Sequence, residues 1–327
     1  MVHNGCMQSQ ANTFAFFLVP GFSLVALSSA IDVLRAANVE VDRTHFEWSL
    51  LGEESGVVAS SSGIELPVEQ ISADNRANVI AVCGGERTHL FANSKVEKWL
   101  RDCAREHCRI GSLSDGAYLV AKAGLFNQCR STIHWKCQNA YRELYPNLDV
   151  RTSIMEIDAL RFSCAGGTAS LDLMLNFVAS SLGTAIAGRV ADNYFHDVIR
   201  GDDQTQHLTR AFRFATRNET VSNALFKMEA ALEDPMPVAQ IADELNVSHR
   251  QLDRLFRSHL GASPSHFYRD LRLARASSLL KQTALSVAEV AVSCGFQSAS
   301  HLAKFFCRKY DETPLQHRKK GPQQPSF

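Results

Sequence analysis

Residues 241–256 read IADELNVSHRQLDRLF and residues 290–306 read VAVSCGFQSASHLAKFF, two copies of one pattern. Ile241-Ala242, Leu245, Val247-Ser248, Leu252, Phe256 and Ser263-Pro264 return as Val290-Ala291, Cys294-Gly295-Phe296, Ser298, Leu302, Phe306 and Thr313-Pro314. Leu252/Leu302, Phe256/Phe306 and Pro264/Pro314 are each 50 residues apart and Ala242/Ala291 are 49 apart, so the second turn is one residue longer. Self-similarity of this kind signals a repeated supersecondary unit. The chemistry of the unit is that of a helix-turn-helix: a small Ala lets two helices cross closely, Asn or Gly allows a tight turn, and Ser248 or Ser298 caps the next helix.

In the capped helices Leu252 and Phe256, or Leu302 and Phe306, stand at i, i+4 and face a core. The exposed side carries His249, Arg250, Asp253, Arg254 and Arg257 in the first copy, with Gln251 a further candidate contact there, and Gln297, Ala299, His301, Lys304 and Arg308 in the second. Long donors on that face are what base edges and phosphates require. With Ser248 and Ser298 these residues, Asp253 apart, are the candidate DNA contacts, Arg250 and His301 reading bases and Arg254 a phosphate. His266–Lys281 (HFYRDLRLARASSLLK) reads as one helix, ~24 Å long at ~1.5 Å per residue. Such a connector could set two recognition helices about one DNA turn, ~34 Å, apart. The competing reading, a helical bundle with solvated basic faces, explains one copy well and two in register poorly.

Charge follows the same division. Residues 201–327 carry 17 Lys/Arg against 13 Asp/Glu, whereas residues 1–200 carry 17 against 21. Only the carboxyl-terminal part is suited to face a polyanion. Gly201–Gln206 (GDDQTQ) reads as the start of a linker. The expected partition is an arm at 1–12, a domain at 13–200, a linker at 201–219, the helical domain at 220–320 and a tail at 321–327.

Upstream of the linker, short β-rich runs alternate with helical patterns. Strands are expected at Thr13–Val19, Phe46–Leu51, Val79–Val82 and Arg109–Leu113, and helices at Leu24–Ala37, Lys95–His107 and Ala117–Ala123. Ala169–Arg200 reads as one long apolar helix. Buried, non-alternating strands between helices predict an α/β doubly wound parallel sheet, followed by the all-α tandem helix-turn-helix domain. Ligands of such sheets bind beyond the strands' carboxyl ends. That points to the turns Pro20–Phe22, Cys83–Glu86 and Leu113–Gly116. Nine scattered cysteines without a Cys-x-x-Cys argue against a disulfide framework or a zinc site, and no metal or cofactor is expected. No Lys or Arg precedes Arg35, so Phe14–Val19 lacks the basic flank of a signal peptide, and no apolar run approaches the ~20 residues of a membrane span. A cytoplasmic protein without membrane contact is the expectation.

Residues 221–320 resemble the DNA-binding domain of the AraC/XylS regulators. The match rests on I-A-x-x-x-x-V-S-x-R-x-L-x-R-x-F (241–256), L-R-L-x-R-A (271–276), G-F-x-S (295–298) and T-P (313–314), with Asp311 standing where the family usually has Gly. Residues 13–200 resemble the amidotransferase-like (flavodoxin-like) PfpI-type domain joined to such regulators in the GlxA-like group. That match is carried by V-P-G-F (19–22), D-V-L-R-A-A-N (32–38), C-G-G (83–85), S-D-G-A (114–117), H-W (134–135) and C-A-G-G-T-A-S-L-D-L-M (164–174). The last motif and G-D-D-Q (201–204) look most like the branch responding to arginine, betaine, carnitine and related amines.

The resemblance implies a degenerate catalytic trio. The nucleophilic cysteine of catalytic relatives falls on Ser114, its base on His134 and the acid on Asp32; whether Cys164 substitutes spatially stays open. The turn can still bind. Backbone donors near Asp115–Ala117 and at Gly84 and Gly85 suit a carboxylate, Asp115 suits an amine, Phe22 or Trp135 could face a cationic head, and Ser114, Gly116, His134 and Thr168 complete the candidate ligand contacts. Each has a plainer role: Asp115 and Thr168 as helix caps, Trp135 as core, His134 as a structural histidine. The implied protein is a homodimeric regulator that binds double-stranded DNA, senses a small amine or amino-acid-like effector and engages RNA polymerase. Its rivals are a Ser/Cys-dependent hydrolase or amidotransferase with a DNA-binding tail, and a constitutive DNA binder.

Overall fold

A computed structural model describes residues 12–73, 77–202, 204–206 and 218–320. The chain divides into two compact units, Met1–Gln206 and His207–Phe327. The expected arm apart from Asn12, residues 207–217 of the expected linker and the expected tail lie outside the described residues.

The strands of the first unit are β1 (Asn12–Leu18), β2 (Phe46–Gly52), β3 (Gly56–Ala59), β4 (Glu65–Gln70), β5 (Val79–Cys83), β6 (Arg109–Leu113), β7 (Arg130–Ser131), β8 (Asp149–Val150), β9 (Met155–Ile157) and β10 (Arg161–Cys164). Its helices are α1 (Leu24–Glu40), α2 (Ser94–Arg105), α3 (Ala117–Lys122), α4 (Gln138–Leu144), α5 (Ala169–Leu182) and α6 (Thr184–Asp192). The eight-stranded sheet runs β3-β4-β2-β1-β5-β6-β10-β9. From β4 to β10 every pairing is parallel, and only the edge strands β3 and β9 run antiparallel to their neighbours. Strand β1 is central, and its run TFAFFLV is uninterrupted because both faces are covered. Phe14, Phe16 and Leu18 pack in the core on the α1/α5/α6 side, and Ala15, Phe17 and Val19 in the core on the α2/α3/α4 side.

The expected helix 169–200 is two helices. Gly183 (φ 91°, ψ 157°) ends α5 and α6 starts at once, after which Phe195 turns the chain with φ 51°. Apolar composition continues through the break, which is why the run read as one element. Residues 204–206 do not hang free of the unit. The Gln204 carbonyl accepts from Ile154 N–H (2.7 Å), and Gln206 Nε2 donates to the Ile133 and Ser153 carbonyls (2.9 and 2.8 Å).

The second unit holds α7 (Glu219–Ala230), α8 (Val238–Glu244), α9 (His249–Leu260), α10 (Pro264–Gln282), α11 (Val287–Ser293), α12 (Ala299–Tyr310) and α13 (Pro314–Lys320). Helices α8/α9 and α11/α12 are the two helix-turn-helix units, and α10 is the connector. Their turns use left-handed residues, Asn246 (φ 55°) in the first and Gly295 (φ 67°) in the second. A Cβ on Gly295 would lie 2.4 Å from Pro235 Cγ, so the second turn packs directly on the loop before α8. Arg272 of α10 donates to the Gly295 carbonyl (2.8 Å) and lies over the Phe296 ring. The two helix-turn-helix motifs are thereby packed against each other within the helical unit.

Helix α9 ends on Gly261 (φ 70°) and α12 on Asp311 (φ 54°), 50 residues on, so Asp311 occupies a left-handed cap that glycine fills without strain. Asp311→Gly is expected to stabilise this unit by ~0.5–1 kcal/mol, the relief of strain exceeding the added chain entropy. A melt no higher than wild type would show that the aspartate pays no such penalty.

Candidate functional sites

Strand β6 ends at Leu113, and Ser114 turns the chain with φ 55°, a conformation that L residues avoid. Ser114–Gly116 form one 3₁₀ turn that leads into α3. Four loops at the carboxyl ends of β1, β5, β6 and β10 meet there through backbone. A Cβ on Gly84 would lie 2.2 Å from Gly116 N, one on Gly116 2.0 Å from the Val82 carbonyl oxygen, one on Gly85 2.0 Å from that of Gly21, and one on Gly166 2.5 Å from Ser114 Cβ. The strained elbow implied by the resemblance is therefore present, with serine at its apex.

It carries no catalytic trio. Among the described residues no hydrogen bond joins Ser114 to His134. Burial and nearby Lys136 push the His134 imidazole down to about 4, so it is neutral at physiological pH. Asp32 sits on the outer side of α1 and pairs with Arg35 (3.2 Å), because the buried positions of that helix are 26, 27, 30, 33, 34, 36 and 37. Cys164 does lie beside the elbow, its Cα opposite Leu113, but its thiol is fully buried, 3.4 Å from Ser170 Oγ, and burial raises its pKa. It is not a poised thiolate.

Several expected ligand contacts are also reassigned. Phe22 is completely buried in the α1-side core. The Gly84 N–H donates to the Leu113 carbonyl (3.2 Å) and the Gly85 N–H to Thr88 Oγ1 (2.8 Å), so both are already used within the protein. Trp135 is half-buried beside His134, with Lys136 Nζ 5.7 Å from its ring. Thr168 precedes α5 without capping it; its hydroxyl accepts from Arg200 Nη2 (3.0 Å).

Asp115 is the group left in an unusual state. Its carboxyl is 3% exposed; Oδ2 accepts from the Cys137 thiol (3.3 Å), and Oδ1 is buried with no partner. Burial lifts its pKa to about 6, against the pull of the Cys137 hydrogen bond and Lys136. Cys137 was invisible as a site residue because it lies 22 positions away in an unrelated loop.

A second buried carboxylate was missed as well. Asp172 of α5 accepts from the Arg200 backbone N–H and Nε (2.8 Å each) and pairs with His196 Nε2 (2.7 Å). Its only signal was its place inside the motif at 164–174. Among the described residues no group of three or more His, Cys, Asp or Glu could hold a metal ion, and no helix is long and apolar enough to cross a membrane.

In the helical unit, the capping roles are the ones expected. Ser248 Oγ accepts from Gln251 N–H while Gln251 Oε1 accepts from Ser248 N–H (2.9 Å), a reciprocal capping box, so both side chains are engaged. Ser298 Oγ accepts from His301 N–H (3.1 Å). His249, Arg250, Arg254, Gln297, Lys304 and Arg308 are exposed, Ala299 is half-buried, and Arg257 pairs with Asp253 (2.7 Å). His301, the second expected base reader, is less exposed than Gln297, Lys304 and Arg308. Its ring is half-buried, with centroids 5.8 Å from Phe296 and 5.1 Å from Phe305.

These features define a class: a DNA-binding protein built on tandem helix-turn-helix units, joined to an α/β domain whose elbow carries a serine and no catalytic trio. Residues 12–178 match the DJ-1/PfpI family and residues 241–320 a helix-turn-helix domain. Over nearly the whole chain the protein is similar to the transcriptional regulator CdhR of Pseudomonas aeruginosa, 35% identical over 93% of this chain and 91% of the relative. It is likewise similar to the regulator GlxA of Rhizobium meliloti, 37% identical over 94% and 95%. A crystal structure of an AraC family transcriptional regulator from Pseudomonas putida superposes with a TM-score of 0.53 at 28% identity, covering 56% of this chain and 98% of that one. The chain belongs to the AraC-type transcriptional regulators that carry a DJ-1/PfpI domain. It is a regulator rather than an enzyme.

Proposed function

We propose that this chain is a cytoplasmic, ligand-responsive activator of genes for amine or amino-acid catabolism. It binds a small zwitterion at the elbow, dimerises through its α/β unit, and engages DNA and RNA polymerase through its helical unit. The observation that carries this reading is the elbow: left-handed Ser114, four loops in backbone contact and a half-satisfied buried Asp115 persist where there is no chemistry to perform. Strain and an unpaired charge are kept at sites that bind. The direct test is transcription from DNA selected by the purified protein, with and without a panel of amines and amino acids. Output that changes with one of them is expected; equal output with all of them would leave a constitutive DNA binder.

The route out of the site is short. Gly166 packs on Ser114, and two residues on, Thr168 meets Arg200, which also holds Asp172. Gln206, the last residue before the undescribed segment, is bonded to the carbonyl of Ile133, the neighbour of His134. An effector at the elbow would act on both anchors of the segment leading to the DNA-binding unit.

On the DNA side, Arg254→Ala is expected to weaken binding to every sequence and to lower the slope of log affinity against log salt by about 1, as loss of one phosphate contact does. Arg250→Ala is expected to relax sequence preference by ~1–3 kcal/mol at one position. Titrations of specific and scrambled DNA at several salt concentrations separate the two. A changed preference with an unchanged salt slope in Arg254→Ala would reverse the assignment.

A further inference from the structure

Resting on the reading of the elbow as the effector site, we infer that the effector presents an N–H donor to Asp115, as a protonated primary, secondary or tertiary amine or a guanidinium does, and that quaternary ammonium compounds are not recognised there. The argument starts from what each cation can do for a buried carboxylate. Oδ2 already has the Cys137 thiol, while Oδ1 is shut off from water and has no hydrogen bond. Leaving a buried acceptor unmatched is costly, and a charged one more so. An N–H cation supplies both the missing charge and the missing hydrogen bond, at the short distance that charge-assisted bonds adopt. A quaternary ammonium supplies charge alone, held off by its methyl groups, and leaves Oδ1 without a donor.

Recognition of quaternary ammonium relies instead on aromatic faces. The two rings expected to provide them do not. Phe22 is fully inside the core, and the Trp135 ring has the Lys136 ammonium 5.7 Å from its centroid, where a second cation would meet like charge. The buried rings next to Asp115 are engaged too: Tyr118 packs edge-on against Tyr141, whose hydroxyl donates to the Ala117 carbonyl (3.3 Å). The site as built offers a hydrogen-bond acceptor and no cage.

The experiment is a thermal melt of the full chain against matched pairs, glycine and alanine, each beside its counterpart with the nitrogen permethylated, with mono- and dimethylglycine completing the first series and lysine and arginine added as carriers of a side-chain N–H cation. At saturating concentration a bound member is expected to raise the melting temperature by several degrees. The shift should survive as long as one N–H remains, vanish in the quaternary member, and vanish in Asp115→Asn, whose own melt reports that it is folded. A quaternary member that shifts the melt as much as its N–H partner overturns the inference and leaves the effector site standing. A shift that persists in Asp115→Asn overturns it by showing that another group receives the amine. No shift from any member of any pair overturns the elbow as the effector site, and the inference with it.

Discussion

Asp115→Asn is expected to raise the melting temperature of the α/β unit near neutral pH while abolishing its response to effector. The folded carboxyl has a pKa of about 6, above its ordinary value of 3.8, so folding favours its protonated form. The stability linked to that proton is fully present below the unfolded pKa and is lost as pH rises through about 6. At neutral pH the wild type therefore carries an ionised, half-satisfied carboxylate, a penalty of roughly 3 kcal/mol for an elevation of this size. Asparagine removes the charge and keeps the volume, and its carbonyl can still accept from Cys137. Its amide brings a buried donor that needs a partner, at a cost of ~1 kcal/mol or more, leaving a net gain of about 1–2 kcal/mol.

Two measurements check this. The variant should melt higher at pH 7, and its lead over wild type should shrink as pH falls from 7 toward 5, where the buried imidazoles of His134 and His45, both held below their ordinary value, lower the two melts alike. A variant less stable than wild type at neutral pH would show that Asp115 is satisfied by something other than a ligand. The expected trade of stability for binding follows from a site that holds its charge in readiness.

How much of this was legible in the sequence depends on how far each interaction reaches along the chain. TFAFFLV declared a doubly covered strand because burial on both faces leaves an uninterrupted apolar run. Gly56–Ala59 and Glu65–Gln70 declared nothing, because each of these two strands at one end of the sheet buries a single valine, Val58 or Val68. The tandem helix-turn-helix was readable since its caps, turns and core contacts all fall within a few residues of one another and then repeat. His301 shows the limit: the repeat puts it at an exposed register, but Phe296 and Phe305 enclose it. At the elbow, S-D-G read correctly as a turn, yet the state of Asp115 depends on Cys137, and the fate of Phe22 on an entire helical layer. Asp32 was carried over by motif alone, and helical periodicity then turned it outward.

The same distance hides a second contact with a large expected consequence. Arg200→Ala is expected to destabilise the α/β unit by about 3 kcal/mol and to disconnect effector binding from transcription. Asp172 is completely buried, and removing one partner of a buried ion pair typically costs ~3–5 kcal/mol, because the other charge is stranded. The lower end applies, since His196 and the backbone N–H of residue 200 still reach the carboxylate. For a domain of this size the melting temperature should fall by roughly 6–12 °C. A control separates charge from packing: replacing both partners, Asp172→Leu with Arg200→Met, should cost less than Arg200→Ala alone, because it strands no charge. Arg200 also holds Thr168, two residues after the glycine that packs on Ser114, so its loss frees the outgoing segment from the elbow. Transcription by Arg200→Ala should then be the same with and without effector, measured at a temperature where the variant is folded. A folded variant that still responds would place the signal on the other anchor, Gln206, and the corresponding loss should appear in Gln206→Ala.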